Sequence, residues 1–208
     1  MNTDAMTLFF KALAVGLLIA APVGPIGLLT IKRTLDQGMA AGLATGLGAA
    51  FADAIYGAIG AFGITQVIGW LVGARAWLAL VGGAMLLWMA WRIFSQPLAS
   101  DAAPLPSRAD LVRCFAGTFV LTLSNPATIL SFIAVFASMA GAGTQALSAI
   151  PMIAGVLIGS SAWWLTLSFG VGHWRHRFDA TWRKRINHLS GVFLAGFALW
   201  QWGGVLAR

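Results

Sequence analysis

Polar residues cut this chain into long apolar stretches. A helix that crosses a bilayer needs about 20 mostly apolar residues. Six windows meet that length, at roughly 8–31, 40–62, 76–94, 111–139, 146–172 and 189–206. The stretch 63–75 is apolar but short and reads as an interfacial or re-entrant connection. Pro97, Pro104 and Pro106 mark 95–108 as a linker. The pattern predicts an all-α integral membrane protein with six transmembrane helices in a single domain over 1–208, with halves at roughly 1–94 and 111–208 joined by a linker over 95–110.

Composition strengthens the membrane reading. Apolar residues make up 59% of the 208 positions and charged residues only 9%. A soluble domain of this size keeps too much surface to hide that load. The 25 glycines suit close helix packing in lipid. The N-terminus lacks a basic leader and its apolar run continues to Ile31, so it reads as a retained helix. Cys114 is alone and offers neither a disulfide nor a cysteine zinc site.

A formal charge of +7 raises nucleic acid as a partner. The cations lie between apolar runs, however, as loop charges do, and nucleic acid is set aside. Lys32 and Arg33 follow window one, Arg92, Arg108 and Arg113 window three, and Arg175, Arg177, Arg183, Lys184 and Arg185 window five. Only Lys11, Arg75 and Arg208 lie on the other side. The positive-inside rule then places both termini outside.

The two halves repeat. Gly48, Asp53, Tyr56 and Phe62-Gly63 in window two match Gly155, Ser160, Trp163 and Phe169-Gly170 in window five, each 107 residues on. Gly82 and Trp91-Arg92 match Gly191 and Trp200-Gln201, and Gly24-Pro25 matches Asn125-Pro126. Three spans per half is an odd number, so the second half is inverted, as in many transporters.

Three features carry candidate chemistry. Pro22-Val23-Gly24-Pro25 breaks helix one, freeing carbonyls before Pro22 and amides after Pro25 for an ion or a zwitterion. Ser124-Asn125-Pro126 interrupts window four at the corresponding place, and Asn125 reads equally as a ligand group or as interhelical glue. Asp53 lies mid-span, where a charge costs roughly 2.5–3.5 kcal/mol on insertion scales. No opposite charge stands one turn away: Ala49, Ala50, Tyr56 and Gly57 do. The candidate substrate-binding residues are thus Pro22, Gly24, Pro25, Tyr56, Ser124, Asn125 and Pro126, with Asp53 for proton coupling. Gly38, Gly42, Gly46, Ala50, Ala54 and Ala58 form a four-residue ladder that reads as a packing seam, pressing Asp53 toward another helix, expected to be the broken one.

His173-Trp174-Arg175-His176-Arg177 and Trp182-Arg183-Lys184-Arg185 read as anchors at an anionic surface. A metal site from His173, His176 and His188 lacks a spaced carboxylate or cysteine apart from Asp179. No phosphate loop, zinc helix or nucleophile elbow occurs, and no enzyme or cofactor is expected.

Ala21-Pro22-Val23-Gly24-Pro25, the Gly38/Gly42/Gly46/Gly48 ladder to Asp53 and Tyr56, Leu80-x-Gly82 to Trp91-Arg92, and Asn125-Pro126 together resemble the lysine/homoserine exporter family (LysE/RhtB type) over nearly the whole chain. The resemblance implies a multi-pass exporter in the bacterial inner membrane, moving an amino acid or related small metabolite against protons, with homo-oligomers and membrane lipids as partners. An exporter of a divalent metal cation and a non-coupled channel are the alternatives. Two departures stand out: Val23 is inserted where many members read Pro-Gly-Pro, and Ala127-Thr128 follows Asn125-Pro126 where many have Lys. Without that Lys, neither a basic contact to the substrate nor a buried ion pair with Asp53 carries over from the resemblance.

Overall fold

In the computed structural model, residues 3–22, 24–62, 65–95, 106–139, 149–177 and 180–206 are described. Val23, Asp179 and most of the linker, 96–105, lie outside them. The described residues are helical, without a strand: α1 (Thr3–Ala20), α2 (Pro25–Gln37), α3 (Met39–Ala61), α4 (Thr65–Gly73), α5 (Arg75–Ser95), α6 (Arg108–Leu123), α7 (Pro126–Met139), α8 (Ala149–His173) and α9 (Ala180–Leu206), with a 3-10 turn over 175–177.

Four helices are long and apolar enough to cross a membrane: α3, α5, α8 and the 184–206 part of α9. Two helix pairs pass the same test but are bent, α1 with α2 by 76° and α6 with α7 by 64°. The described residues therefore hold four candidate spans, or up to six if each bent pair counts as one. The short stretch after window two becomes α4, a helix too short to cross.

Each bend has a local cause. Pro22 ends α1 and Pro25 opens α2 at its first position, where a missing N–H costs nothing. Ser124 closes α6 and Pro126 opens α7. Only one residue, Gly38, separates α2 from α3; its φ of 94° is a backbone state that a side chain would strain. At the start of α6, Ser107 and Asp110 form a reciprocal capping box.

Helices run further than the apolar windows. α2 continues to Gln37 and carries Lys32 and Arg33; α9 starts at Ala180 and carries Lys184 and Arg185. These cations, expected in connections, lie on helix ends. The cause is that a helix continues past its apolar stretch while its polar groups find partners.

α3 is the hub. In its spanning window 61% of residues are buried, against 28% in that of α9. It packs on α2, α6 and α8, while α1 packs on α8 and α5 on α9. Glycines set the closest approaches: a Cβ on Gly48 would overlap the Phe115 carbonyl of α6, and one on Gly155 would meet the Phe9 carbonyl of α1. The ladder is the expected seam, with Gly42 against Thr34 and Ser168 and Gly46 against Trp164. Phe10, Leu18, Val81, Ile158 and Leu199 point outward, more than two-fifths exposed, as lipid-facing side chains do.

Candidate functional site

Asp53 is buried at the middle of α3, 4% exposed. Its partner is not the broken helix but α8: Ser160 Oγ donates to Asp53 Oδ2 at 2.7 Å. Trp164 Nε1 in turn donates to Ser160 Oγ at 3.2 Å, which directs the serine proton at the carboxylate. Sequence reading singled out Ser160 only as the repeat counterpart of Asp53; the structure puts the two in contact. Among the described residues, no cation pairs with Asp53. A hydroxyl is a modest partner for an acid at this depth, so a cation or proton has a reason to come here.

The two breaks lie on either side of Asp53 along α3. One turn before it, Ala49 and Ala50 cluster with Ala20, the last residue of α1, and with Ile26 of α2. One turn after it, Tyr56 donates its hydroxyl proton to the carbonyl of Leu123, the last residue of α6, at 2.6 Å. The Tyr56 ring lies against Phe132 of α7, with centroids 5.8 Å apart.

The first break is open. Gly24 caps α2 with extended backbone, and no side chain bonds to the cap. A Cβ on Gly24 would meet nothing within 4 Å. Pro22 is exposed and Pro25 buried. The first amides of α2, at Ile26 and Gly27, have no intrahelical acceptor, the usual condition of a helix start, and the dipole there favours negative charge.

The second break is occupied by the protein itself. Asn125 Oδ1 accepts from Ala127 N at 3.0 Å, capping α7, and from Gln201 Nε2 of α9 at 3.4 Å. Ser124 is buried, and Gly82 of α5 lies so near that a Cβ there would sit 3.1 Å from the Ser124 carbonyl. Pro126 opens α7. Asn125 is thus bonded to both α7 and α9. Gln201 Oε1 is buried without a partner among the described residues.

Other polar ties were hidden from sequence reading. One terminal nitrogen of Arg33 shares its two hydrogens among Thr45 Oγ1 at 3.0 Å, the Cys114 carbonyl at 3.1 Å and Thr118 Oγ1 at 3.1 Å, joining α2, α3 and α6. Lys32 pairs with Asp36 one turn on. Arg175 Nε donates to the Leu35 carbonyl at 2.8 Å, tying the end of α8 to the end of α2. The apolar windows alone place Lys32, Arg33 and Arg175 in connections. His173 is exposed at the end of α8, and His188 lies on α9 against Phe94. Among the described residues, no three His, Cys, Asp or Glu side chains converge as a metal site would require.

Comparison with known proteins gives the arrangement a family. The chain is 32% identical over 193 residues to the uncharacterised membrane protein YahN of Escherichia coli (strain K12), covering 90% of this chain and 86% of that one. It is 23% identical over 201 residues to YcgF of Bacillus subtilis (strain 168), whose name provisionally makes it an amino acid efflux protein, covering 94% and 95%. It is 28% identical over 204 residues to the chemotactic transduction protein ChpE of Pseudomonas aeruginosa, covering 93% and 96%. No solved structure matches. The LysE type translocator family matches residues 17–200, and with it the broken first helix, Asp53 and the second break, so this multi-pass membrane protein belongs to the LysE type translocator family.

Proposed function

We propose that this chain is a secondary-active exporter, carrying an amino acid or related small metabolite out of the cytoplasm in exchange for protons. The observation that carries the reading is Asp53, a buried acid held, among the described residues, only by a serine hydroxyl and flanked by two helix breaks. In the proposed cycle the amides of Ile26 and Gly27, at the start of α2, take the substrate carboxylate, as helix starts do for anions. Asp53 takes the substrate ammonium or a proton, never both. That exclusivity couples cargo loading to deprotonation on the inside and release to protonation from the outside. Tyr56, Ser124, Asn125 and Pro126 form the opposite wall.

Two inverted three-helix halves would supply the alternating access, and contacts between counterparts support that architecture. Asp53 and Ser160, 107 residues apart, bond to each other. Gly48 and Gly155, also counterparts, each press on the first helix of the other half. Orientation in the bacterial inner membrane, with both termini outside, is supported by the grouping of cations. Lys32, Arg33, Arg92 and Arg113 line one cavity, and Arg175 reaches the end of α2.

The test has two stages. Cells overproducing the protein are screened for resistance to toxic amino-acid analogues, and the protected compound is then followed in inverted membrane vesicles under an imposed pH gradient. Wild-type uptake should follow the gradient, and Asp53→Asn should remove that dependence while the protein still assembles. Full gradient-driven transport by Asp53→Asn would sink the coupling role; wild-type flux that ignores the gradient would point to a channel.

A further inference from the structure

A cavity of about 530 Å³ lies between α2, α5 and α6, away from Asp53. Four cations line it: Lys32 and Arg33 from α2, Arg92 from α5 and Arg113 from α6. Asp110 is the one acid among the lining residues. The nearby carboxylates are already engaged. Asp36 holds Lys32, and Asp110 holds Ser107 and stands 3.7 Å from Arg113. Arg33 and Arg92 are left with no carboxylate among the described residues.

Arg33 is placed to receive one. Its three bonds all leave from a single terminal nitrogen and all go to neutral oxygens. They fix the guanidinium without neutralising it, and they leave its other nitrogens free to donate. Arg92 lies over the Trp88 ring, 5.2 Å from its centroid, which orients it but likewise leaves its charge uncompensated. Two uncompensated guanidiniums lining one part-buried cavity repel each other, and an anion between them would turn that cost into attraction. Apart from Gln37, the rest of the lining is mostly apolar, with Leu29, Met85, Met89 and Ile93 beside Trp88. Trp88 is half exposed.

We propose that the cavity between α2, α5 and α6 binds an anionic oxyacid group, phosphate or carboxylate, through the free edge of Arg33 and the guanidinium of Arg92, with an apolar body lying along Met85, Trp88 and Met89. The ligand chemistry has two sources: the headgroup of an anionic phospholipid from the adjoining leaflet, or a soluble anion from the aqueous side. The site is independent of Asp53 and of the proposed transport cycle.

The experiment uses the full chain in nanodiscs and has two arms. The first reads lipid retention by native mass spectrometry from equimolar phosphatidylglycerol and phosphatidylcholine discs. The second reads the melting temperature in phosphatidylcholine discs as inorganic phosphate replaces chloride at constant ionic strength. Wild type, Arg33→Gln, Arg92→Gln and the control Lys11→Gln are compared. Losing one charge-assisted hydrogen bond should weaken binding roughly tenfold in either arginine variant and leave Lys11→Gln like wild type. Loss of phosphatidylglycerol enrichment in the variants assigns the site to a headgroup. Loss of the phosphate-induced melting shift assigns it to a soluble anion, and loss of both means the two share it. Arg33→Gln also cuts the tie between three helices and can fail to assemble. Arg92→Gln carries the test in that case, because its side chain contacts the exposed Trp88 ring rather than the tie. Equal lipid retention and equal phosphate response in wild type and Arg92→Gln would overturn the proposal.

Discussion

The two bent pairs of helices look alike in outline and differ in how their freed backbone groups are met. At the first bend, among the described residues, no side chain caps α2, a Cβ on Gly24 would meet nothing within 4 Å, and Gly24 N donates to the Pro22 carbonyl at 2.8 Å. At the second, Tyr56 takes the last carbonyl of α6, Asn125 caps α7, and Gln201 holds Asn125 in place. Unmet backbone groups are expensive in a bilayer, so an open break calls for water or a ligand, whereas a filled one is a fixed joint. The same interruption of a helix can serve as a receptor or as a hinge post, and side chains from other helices decide which.

Substitutions can break that contrast, and the largest change in stability should come from Tyr56→Phe. It strands the Leu123 carbonyl and should cost about 1–3 kcal/mol, read as a lower inactivation temperature in detergent. Asn125→Ala should follow at about 1 kcal/mol, the usual cost of a lost cap. Asn125→Ser keeps a neutral oxygen for the Ala127 amide and should recover part of that loss. If Asn125→Ala melts like wild type but abolishes transport, the asparagine is a ligand group and the second break is not a fixed joint. Ser107→Ala removes the cap of α6 outside the core, where water replaces it, and should lower stability less than Asn125→Ala does in the same assay. Gly24→Ala should be nearly silent in melting, because its φ of −94° suits alanine and its Cβ meets nothing. On the proposed mechanism it should nonetheless slow vesicle transport, by narrowing the open break. A large melting loss in Gly24→Ala would mean that the first break is as tightly fitted as the second.

Both breaks were legible because proline acts on its own backbone, whatever surrounds it. Asp53 was legible because an acid in a long apolar run is anomalous by itself. Its partner was not, since Ser160 lies in another helix, and a serine in a membrane span is unremarkable until something touches it. The ladder correctly announced close packing but not against what: Gly46 meets Trp164 of α8, so the expected contact of Asp53 with the broken helix gave way to α8. Arg33 misled for a related reason. Assigning each cation to a loop assumes that helices stop where apolar residues do. Three neutral oxygens from α3 and α6 instead let α2 carry its arginine inward.

The bond between Asp53 and Ser160 also bears on ancestry. On the inverted-repeat reading, the two halves began as identical copies, and a residue on the axis between them faced its own twin. An acid at that position would have met a second acid, and a serine a second serine. Neither arrangement gives a lone titratable group with a donor beside it. A mixed pair became available only once each position was encoded separately, so joining two copies into one reading frame would itself have created an asymmetry that two identical copies could not hold.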